Sequence, residues 1–412
     1  MVSYSFYESD NRVMRYAKAL AGRGDHVDVI ALSRTDDAPI QETLDGVHVY
    51  RVQRRERNEK NKLAYLTRIL RFLVVSGVAL SRKHLRQRYD IVHVHNVPDF
   101  LVFSALLAKL TGAAVILDIH DIVPEFYASK FASKGGDALI KPLIFLERIS
   151  ARFADHVIIS NHLWHELITS RSVKSEKCTV FINYVDAEVF KRVERERKDD
   201  RLLVIYPGGL QWHQGLDIAI RAFAKVCKGI PSAEFHIYGE GPEKDRLIHL
   251  AHSLDLSDKV RFFPSLPTRE IVALMAHADL GVVPKRANSF GDQAYSTKIM
   301  EFMSLGVPVA VSRTRIDSFY FDSSLVRFFD SGDDDALADA MTELLGNQSL
   351  RERLIRNSYD YAMRNSWNTR KHEYFALVDS LTGRTGTNLT ENSQSTSKTS
   401  PLFEGRESAP IR

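Results

Sequence analysis

The sequence predicts an α/β protein built as two Rossmann-like, doubly wound domains that face each other across a cleft. Three observations carry that expectation. At 412 residues with 44% hydrophobic side chains, the chain can fill two cores. Short apolar runs alternate with helix-like stretches in two series divided by a charged segment. Glycine-bearing turns follow several of these runs, at the carboxyl ends where open parallel sheets bind ligands.

The first series runs through 2–7, 26–32, 47–52, 91–95, 114–119, 156–160 and 179–182, the pattern of parallel strands joined by crossover helices. Its opening run starts almost at Met1, so the first strand is expected to be short. Between 186 and 200 the chain turns charged, which places a linker between a first domain over 1–190 and a second over 200–365. The second series runs through 202–206, 233–238, 260–263, 280–283 and 307–311. Helical patterns over 334–364 and 368–381 close the fold, with a final helix assigned to 366–381. Ser, Thr, Gly and Asn dominate 382–412, and with so little to bury that tail is predicted to be disordered.

The most informative stretch is 296–309. Ser296 or Thr297 can cap a short helix, Gly306 can close it, and Pro308 opens the next strand. Such a helix start presents unpaired N–H groups and a positive dipole end, a seat for a diphosphate. Glu301 lies about one turn inside, where a carboxylate can accept two hydrogen bonds from a ribose diol. The implied ligand is a nucleotide diphosphate.

The pattern Lys298-Ile-Met-Glu301-Phe-Met-Ser-Leu-Gly306-Val-Pro308-Val resembles the nucleotide-sugar site of family 4 glycosyltransferases. That resemblance implies the GT-B fold, with the last helix crossing back to the first domain. It also implies a nucleotide-diphosphate sugar as co-substrate, with no other cofactor and no metal, and retention of anomeric configuration. The turn Tyr206-Pro-Gly208-Gly209-Leu-Gln-Trp-His213-Gln214-Gly215 is similar to the family's Gly-Arg-Leu…Lys-Gly segment, but Gly209 and Gln214 stand where the arginine and lysine would grip the diphosphate. Lys298 is the candidate to restore positive charge, with His213 as a second helper. Gly239 and Gly241, in Tyr238-Gly-Glu-Gly-Pro242, resemble the family's turn near the nucleotide. Eight residues before Glu301 the family usually has a donor-sugar glutamate; here Gln293 stands there, in a loop with Asp292 and Tyr295.

In the first domain, Val115-Ile-Leu-Asp118-Ile-His120-Asp121-Ile-Val-Pro-Glu125 puts a His-Asp pair just beyond an apolar strand. The resemblance carries a reaction-centre histidine onto His120, with Asp121 and Glu125 as catalytic neighbours; His95 and Asp99 are second choices. After the first strand, Arg12 is a candidate for phosphate or acceptor, or else a surface residue of a helix first turn.

Charge is unevenly spread. Residues 51–88 hold twelve Lys/Arg against two Glu, +10 of a chain whose net charge is +4. Their apolar, arginine-broken portion over 62–88 reads as too interrupted to span a bilayer. It suits either an anionic membrane surface or a domain helix with a solvated basic face. No nucleic-acid signature accompanies the charge. Cys178 and Cys227 lack metal-ligand spacing and are expected as reduced core residues; Asp333-Asp334-Asp335 reads as a helix cap. No leader pattern opens the sequence, so a cytoplasmic protein is expected, peripheral on the inner face of the plasma membrane if 62–88 binds lipid. The combined expectation is a hexosyltransferase-like enzyme acting on a saccharide or lipid-linked acceptor in cell-surface or extracellular polysaccharide synthesis. The alternatives are a sugar-nucleotide epimerase of the same fold, or a degenerate partner in a polysaccharide assembly complex.

Overall fold

The computed structural model describes residues 1–35, 37–54, 62–131, 137–194, 199–287 and 290–383; of the predicted disordered tail, 384–412 lies outside the described residues. Two sheets form, one per domain. In the first, β1 (Val2–Ser3), β2 (Asp28–Ser33), β3 (Gln41–Leu44), β4 (Val47–Arg54), β5 (Ile91–His95), β6 (Ala114–Ile119), β7 (His156–Ile159) and β8 (Cys178–Val180) lie in the order β3-β4-β2-β1-β5-β6-β7-β8. The second contains β9 (Leu202–Pro207), β10 (Ala233–Tyr238), β11 (Val260–Phe263), β12 (Leu280–Val283), β13 (Val309–Arg313) and β14 (Arg327–Asp330), in the order β11-β10-β9-β12-β13-β14. Every pairing is parallel except β3 with β4. Helices cover both faces, so the central strands are buried on both sides and read as unbroken Val/Ile/Leu runs.

The final helix, Trp367–Thr382, leaves the second domain and packs on the first. Trp367, Tyr374 and Val378 join Tyr7, Val13, Tyr16, Val29 and Phe181 in one core cluster. Ser366 caps that helix through the amide of Thr369 and Gly383 ends it in the left-handed region at φ 68°.

The structure departs from the sequence expectation at four places. Gln41–Leu44 is an additional edge strand, turned back by Asp45 and Gly46 at φ 50° and 79°, the geometry of a tight hairpin. Arg327–Asp330 adds a sixth strand to the second sheet. The helix expected over 334–364 is two, Asp334–Gly346 and Gln348–Arg364, broken at Asn347, whose side chain caps the second through Leu350 N at 2.9 Å. Lys62–Arg86 is one continuous helix, and by length and composition alone Ala64–Arg86 is long and apolar enough to cross a membrane. It is nevertheless a domain helix on one side, because Ile69, Phe72 and Leu80 are buried in the first core.

The helix that matters most for the site, Thr297–Leu305, lies directly on β12. An added Cβ at Gly281 would come 2.6 Å from the Phe302 ring, so a hydrogen at that strand position lets the helix seat. Gly281→Ala is expected to displace Phe302 and destabilise the protein by about 1–3 kcal/mol. A urea midpoint equal to wild type would show that the ring moves aside without cost.

Candidate active site

The Thr297–Leu305 helix begins at the carboxyl edge of the second sheet and faces the first domain. Ser296 occupies its N-cap position, yet its hydroxyl makes no capping bond and is buried without a partner, so the side chain does not close the helix start as the sequence suggested. Gly306 ends the helix in the left-handed region at φ 70°, as expected. Thr297 and Glu301 line an interdomain cleft of about 1020 Å³, with Asp10, Arg15, His120 and Trp367 on the opposite wall.

Glu301 and Lys298 are neighbours, but neither has an ion-pair partner within 4 Å among the described residues. Burial raises the Glu301 carboxyl above its ordinary range, opposed by the Lys298 charge and a hydrogen bond from Thr297. Burial lowers the Lys298 ammonium, opposed by Glu301 and reinforced by Lys285. Lys298 also leans on the glycine turn: an added Cβ at Gly208, itself at φ 146°, would lie 2.4 Å from Lys298 Cε. The cation therefore sits beside the turn that lacks its own.

The two glycine turns dock on each other. Gly208 N donates to Tyr238 O at 2.8 Å and Leu210 N to Glu240 O at 3.0 Å. A Cβ on Gly239 would meet Gly208 O at 1.8 Å, and one on Gly241 would meet Leu210 O at 2.4 Å. These glycines are thus required by backbone contact between the turns. Gln214 accepts from Tyr206 Oη at 3.1 Å and lies 3.1 Å from His213 Nε2. Gln293 fixes the loop through its carbonyl, which accepts from Asn161 across the domains at 3.2 Å, and Asp292 caps Arg315 N at 2.8 Å. Tyr295 is held against Tyr320, with ring centroids 5.0 Å apart.

On the first domain's wall, a buried carboxylate gathers the polar groups. Asp118, on β6, is fully buried; Arg12 donates to its Oδ1 and Oδ2 at 2.8 Å each. Register places His95 opposite Asp118, and the two-residue strand period brings His93 to the same side. His95 Nδ1 lies 3.1 Å and His120 Nε2 3.2 Å from Asp118 Oδ2. Burial opposes the Asp118 charge, but Arg12 and then His120 hold its carboxyl well below the usual range. Burial pushes His95 down to about 3, keeping it neutral. His93, His95 and Asp118 converge closely enough to suggest a metal. However, Arg12 already occupies both carboxylate oxygens, and a nitrogen of each imidazole faces that carboxylate, the His95 one at 3.1 Å.

Two candidates are corrected by this geometry. Arg12 is not a surface residue of a helix first turn: it lines the cleft but is 5% exposed, and beyond Asp118 it donates to Phe181 O at 2.8 Å and Asn183 at 3.0 Å. Glu125 is not beside His120's ring but paired with Arg171, which also grips Glu147, among the helices behind the strand ends. Asp121 contributes its carbonyl, accepting from Asn96 at 2.9 Å, while His120 N donates to Asn96 Oδ1 at 2.7 Å. Asp99 is buried and bonded by Asn96, and burial raises it to about 7.

The sequence reading did not single out Asp118, Arg15 or Lys285. Asp118 had a visible cue, a carboxylate inside the apolar run 115–119. Arg15 stacks on Trp367 at 5.7 Å and donates to Asn183 and Tyr184 O without a carboxylate partner within 4 Å. Lys285, 3% exposed, follows β12 and pairs with Asp317 at 2.8 Å.

Two family models divide the chain between them. Residues 9–183 match the glycosyl transferase 4-like domain and 188–361 match glycosyl transferases group 1. The chain belongs to the family 4 glycosyltransferases. It is 28% identical over 379 residues to D-inositol 3-phosphate glycosyltransferase of Mycolicibacterium smegmatis, covering 86% of this chain and 82% of that protein. Sucrose-phosphate synthase from Thermosynechococcus elongatus shares the fold at a TM-score of 0.76 and 17% identity, over 93% of this chain and 99% of that one. Anabaena HepE in complex with UDP-glucose does so at 0.69 and 16%, over 92% and 98%. Against the family pattern, this glycosyltransferase has exchanged two turn cations for Gly209 and Gln214. Among nearby cations, Lys285 is neutralised by Asp317 and Arg286 by Asp217 at 2.7 Å, whereas Lys298 and, across the cleft, Arg15 have no carboxylate within 4 Å among the described residues.

Arg12→Met is expected to cost about 3–5 kcal/mol, since it strands a buried carboxylate. The readout is the urea midpoint; an unchanged midpoint with weakened nucleotide binding would return Arg12 to a ligand role.

Proposed function

We propose that this glycosyltransferase moves a hexosyl group from a nucleotide-diphosphate sugar to a saccharide or lipid-linked acceptor, with retention and without a metal or other cofactor. The carrying observation is a pair of opposite charges on one helix, Lys298 against the Gly208 turn and Glu301 lining the cleft opposite His120, neither with an ion-pair partner within 4 Å among the described residues. In this reading Glu301 accepts from the ribose hydroxyls, while the helix N–H groups and Lys298 receive the diphosphate. Charge grows on the diphosphate as the glycosidic bond breaks, so those donors stabilise the transition state more than the bound substrate. His120 positions the acceptor hydroxyl. The relatives' substrates, inositol phosphate among them, keep both saccharide and lipid-linked acceptors in view.

The second part of the reading is location: the cytoplasmic face of the plasma membrane, in cell-surface or extracellular polysaccharide synthesis. The Lys62–Arg86 helix supports it. Leu66, Leu70, Val74 and Val78 recur every four residues and are 45%, 46%, 64% and 45% exposed, and Leu106 and Leu110 are exposed too. Arg71, Arg82, Arg86 and Arg88 are exposed on or just beyond that helix. An apolar stripe flanked by arginines suits an anionic leaflet, where each basic residue adds about 1 kcal/mol.

A thermal-shift screen of UDP, GDP, ADP and their common sugars tests the donor site. One nucleotide at about 100 times its Kd is expected to add about 2.7 kcal/mol of stability, and Glu301→Ala is expected to lose that gain. No stabilisation by any nucleotide would favour a non-catalytic partner, and turnover of donor to an isomeric sugar nucleotide would favour an epimerase. For the membrane part, the protein is expected to co-sediment with phosphatidylglycerol vesicles at low salt and Val74→Asp to weaken this. Equal recovery with neutral vesicles, or none with anionic ones, would remove the membrane and keep the transferase.

A further inference from the structure

The last helix contributes a polar group to the histidines beneath the reaction edge. Tyr374, on the Trp367–Thr382 helix, is buried, and its hydroxyl lies 2.9 Å from His93 Nδ1. His93 stacks on His95 with centroids 4.2 Å apart and planes 26° apart. His95 Nδ1 is 3.2 Å from His120 Nε2, and both nitrogens face Asp118 Oδ2. The chain of contacts therefore runs from a helix that follows the second domain in sequence to the one histidine of the group that lines the cleft.

Proton positions follow from this geometry. Asp118 is ionised and acceptor-only, so the His95 and His120 nitrogens 3.1 and 3.2 Å from Oδ2 each carry a proton toward it. His120 is then the Nε2–H tautomer, and Nδ1 is its free acceptor. His93 Nε2 stands 3.7 Å from the same oxygen, and a proton there faces negative charge, whereas a lone pair would be repelled. That assignment leaves His93 Nδ1 to accept, and Tyr374 is the donor beside it. Burial holds the Tyr374 phenol well above its ordinary pKa, so the hydroxyl keeps its proton.

We propose that Tyr374 is a positioning residue: by donating to His93 Nδ1 it fixes the His93–His95 stack on Asp118, and thereby the orientation of His120. The crossover helix is then part of the acceptor side of the site as well as a strap between domains. Loss of the hydroxyl leaves a buried Nδ1 without a donor, so the His93 ring keeps its Nε2 proton toward Asp118 but loses the bond that fixes its plane. Of the four N–H groups that face Asp118 Oδ2, from Arg12, His93, His95 and His120, that of His93 is then loosely held, and His95 loses the ring that holds its plane. The proposal rests on His120 acting on the acceptor.

The test compares full-length wild type with Tyr374→Phe, which removes one oxygen and keeps the ring packed on Tyr16 and Phe181. Long-range proton–nitrogen spectra of the histidine-labelled protein read the tautomers directly. In the wild type, His93 and His120 are expected as Nε2–H and His95 as Nδ1–H. In Tyr374→Phe, the His93 Nδ1 signal is expected to shift as its hydrogen bond is lost, and the His120 ring signals to move and broaden as the stack loosens. Hydrolysis of UDP-glucose, GDP-mannose and ADP-glucose supplies a second readout. For whichever the wild type consumes, kcat is expected to fall about tenfold with KM unchanged. Val378→Ala, on the same helix and also buried, is expected to lower the urea midpoint without moving the His120 signals. His120 signals in Tyr374→Phe that superimpose on wild type would overturn the proposal. An unchanged rate in His120→Ala would remove the catalytic reading beneath it, a failure the spectra distinguish from failure of the positioning itself.

Discussion

Asp118 is the fixed point of the first domain. Moving a carboxylate and a guanidinium out of water costs several kcal/mol per ion, and only close, complete hydrogen bonding offsets it. Arg12 supplies that bonding with two contacts of 2.8 Å, while its remaining bonds reach Phe181 O and Asn183, 169 and 171 residues away in sequence. One side chain thereby ties the first helix to β6 and to the segment leaving β8 toward the second domain. Asp10 sets that helix in register by accepting from Val13 N, and Ser5 donates to the same carboxylate. That edge of the sheet is built around a charge pair already committed to bonds within the first domain.

The two walls of the cleft follow opposite electrostatic logic. The first domain closes most of its buried charges on themselves, Arg12 on Asp118, Arg171 on Glu125 and Glu147, Arg51 on Glu8 and Glu42, with Arg15 an exception on the cleft wall. The second domain leaves charge open at one helix start. There burial opposes both charges, of Glu301 and of Lys298, with each supporting the other. Such a pair is poised for a ligand that is anionic at one end and hydroxyl-rich at the other, because binding supplies the hydrogen bonds that the empty site withholds.

What the sequence made legible was local. The Thr297–Leu305 helix announced itself through small residues at its start, Gly306 at its end and Pro308 beyond, all decided within a dozen residues. The strand-end positions of Gly208, Gly239 and His120 followed from the rule that open parallel sheets bind ligands at their carboxyl edge. The edge hairpin was also local, and Asp45-Gly46 was its overlooked signal. The fate of Arg12 was not local: whether it faces solvent, phosphate or a buried carboxylate depends on a partner 106 residues away. Glu125 was misplaced for a similar reason. Its position near His120 in sequence suggested one site, but a helix beginning at Val123 turns it toward Arg171. The Lys62–Arg86 helix resisted assignment because it has two apolar faces, and composition alone cannot tell Phe72 inside from Val74 outside.

On the proposed reading, the absent turn cations bear on how a diphosphate would be held. With Gly209 in place of an arginine and Gln214 in place of a lysine, positive charge near that seat comes from Lys298, the helix dipole and two cations already matched by carboxylates. A helix terminus contributes about half an elementary charge in partial dipoles and is most effective where water is excluded. Lys298 gains in the same way from burial against the Gly208 turn, since the screening that weakens an exposed lysine is reduced there. Burial has the opposite effect on the empty state, where the ammonium is less stable as a cation. On the proposed reading, attraction for phosphate rests on Lys298, with Arg15 on the facing wall as a second cation that lacks a carboxylate partner among the described residues. Its strength depends on the close approach that Gly208, without a side chain, allows.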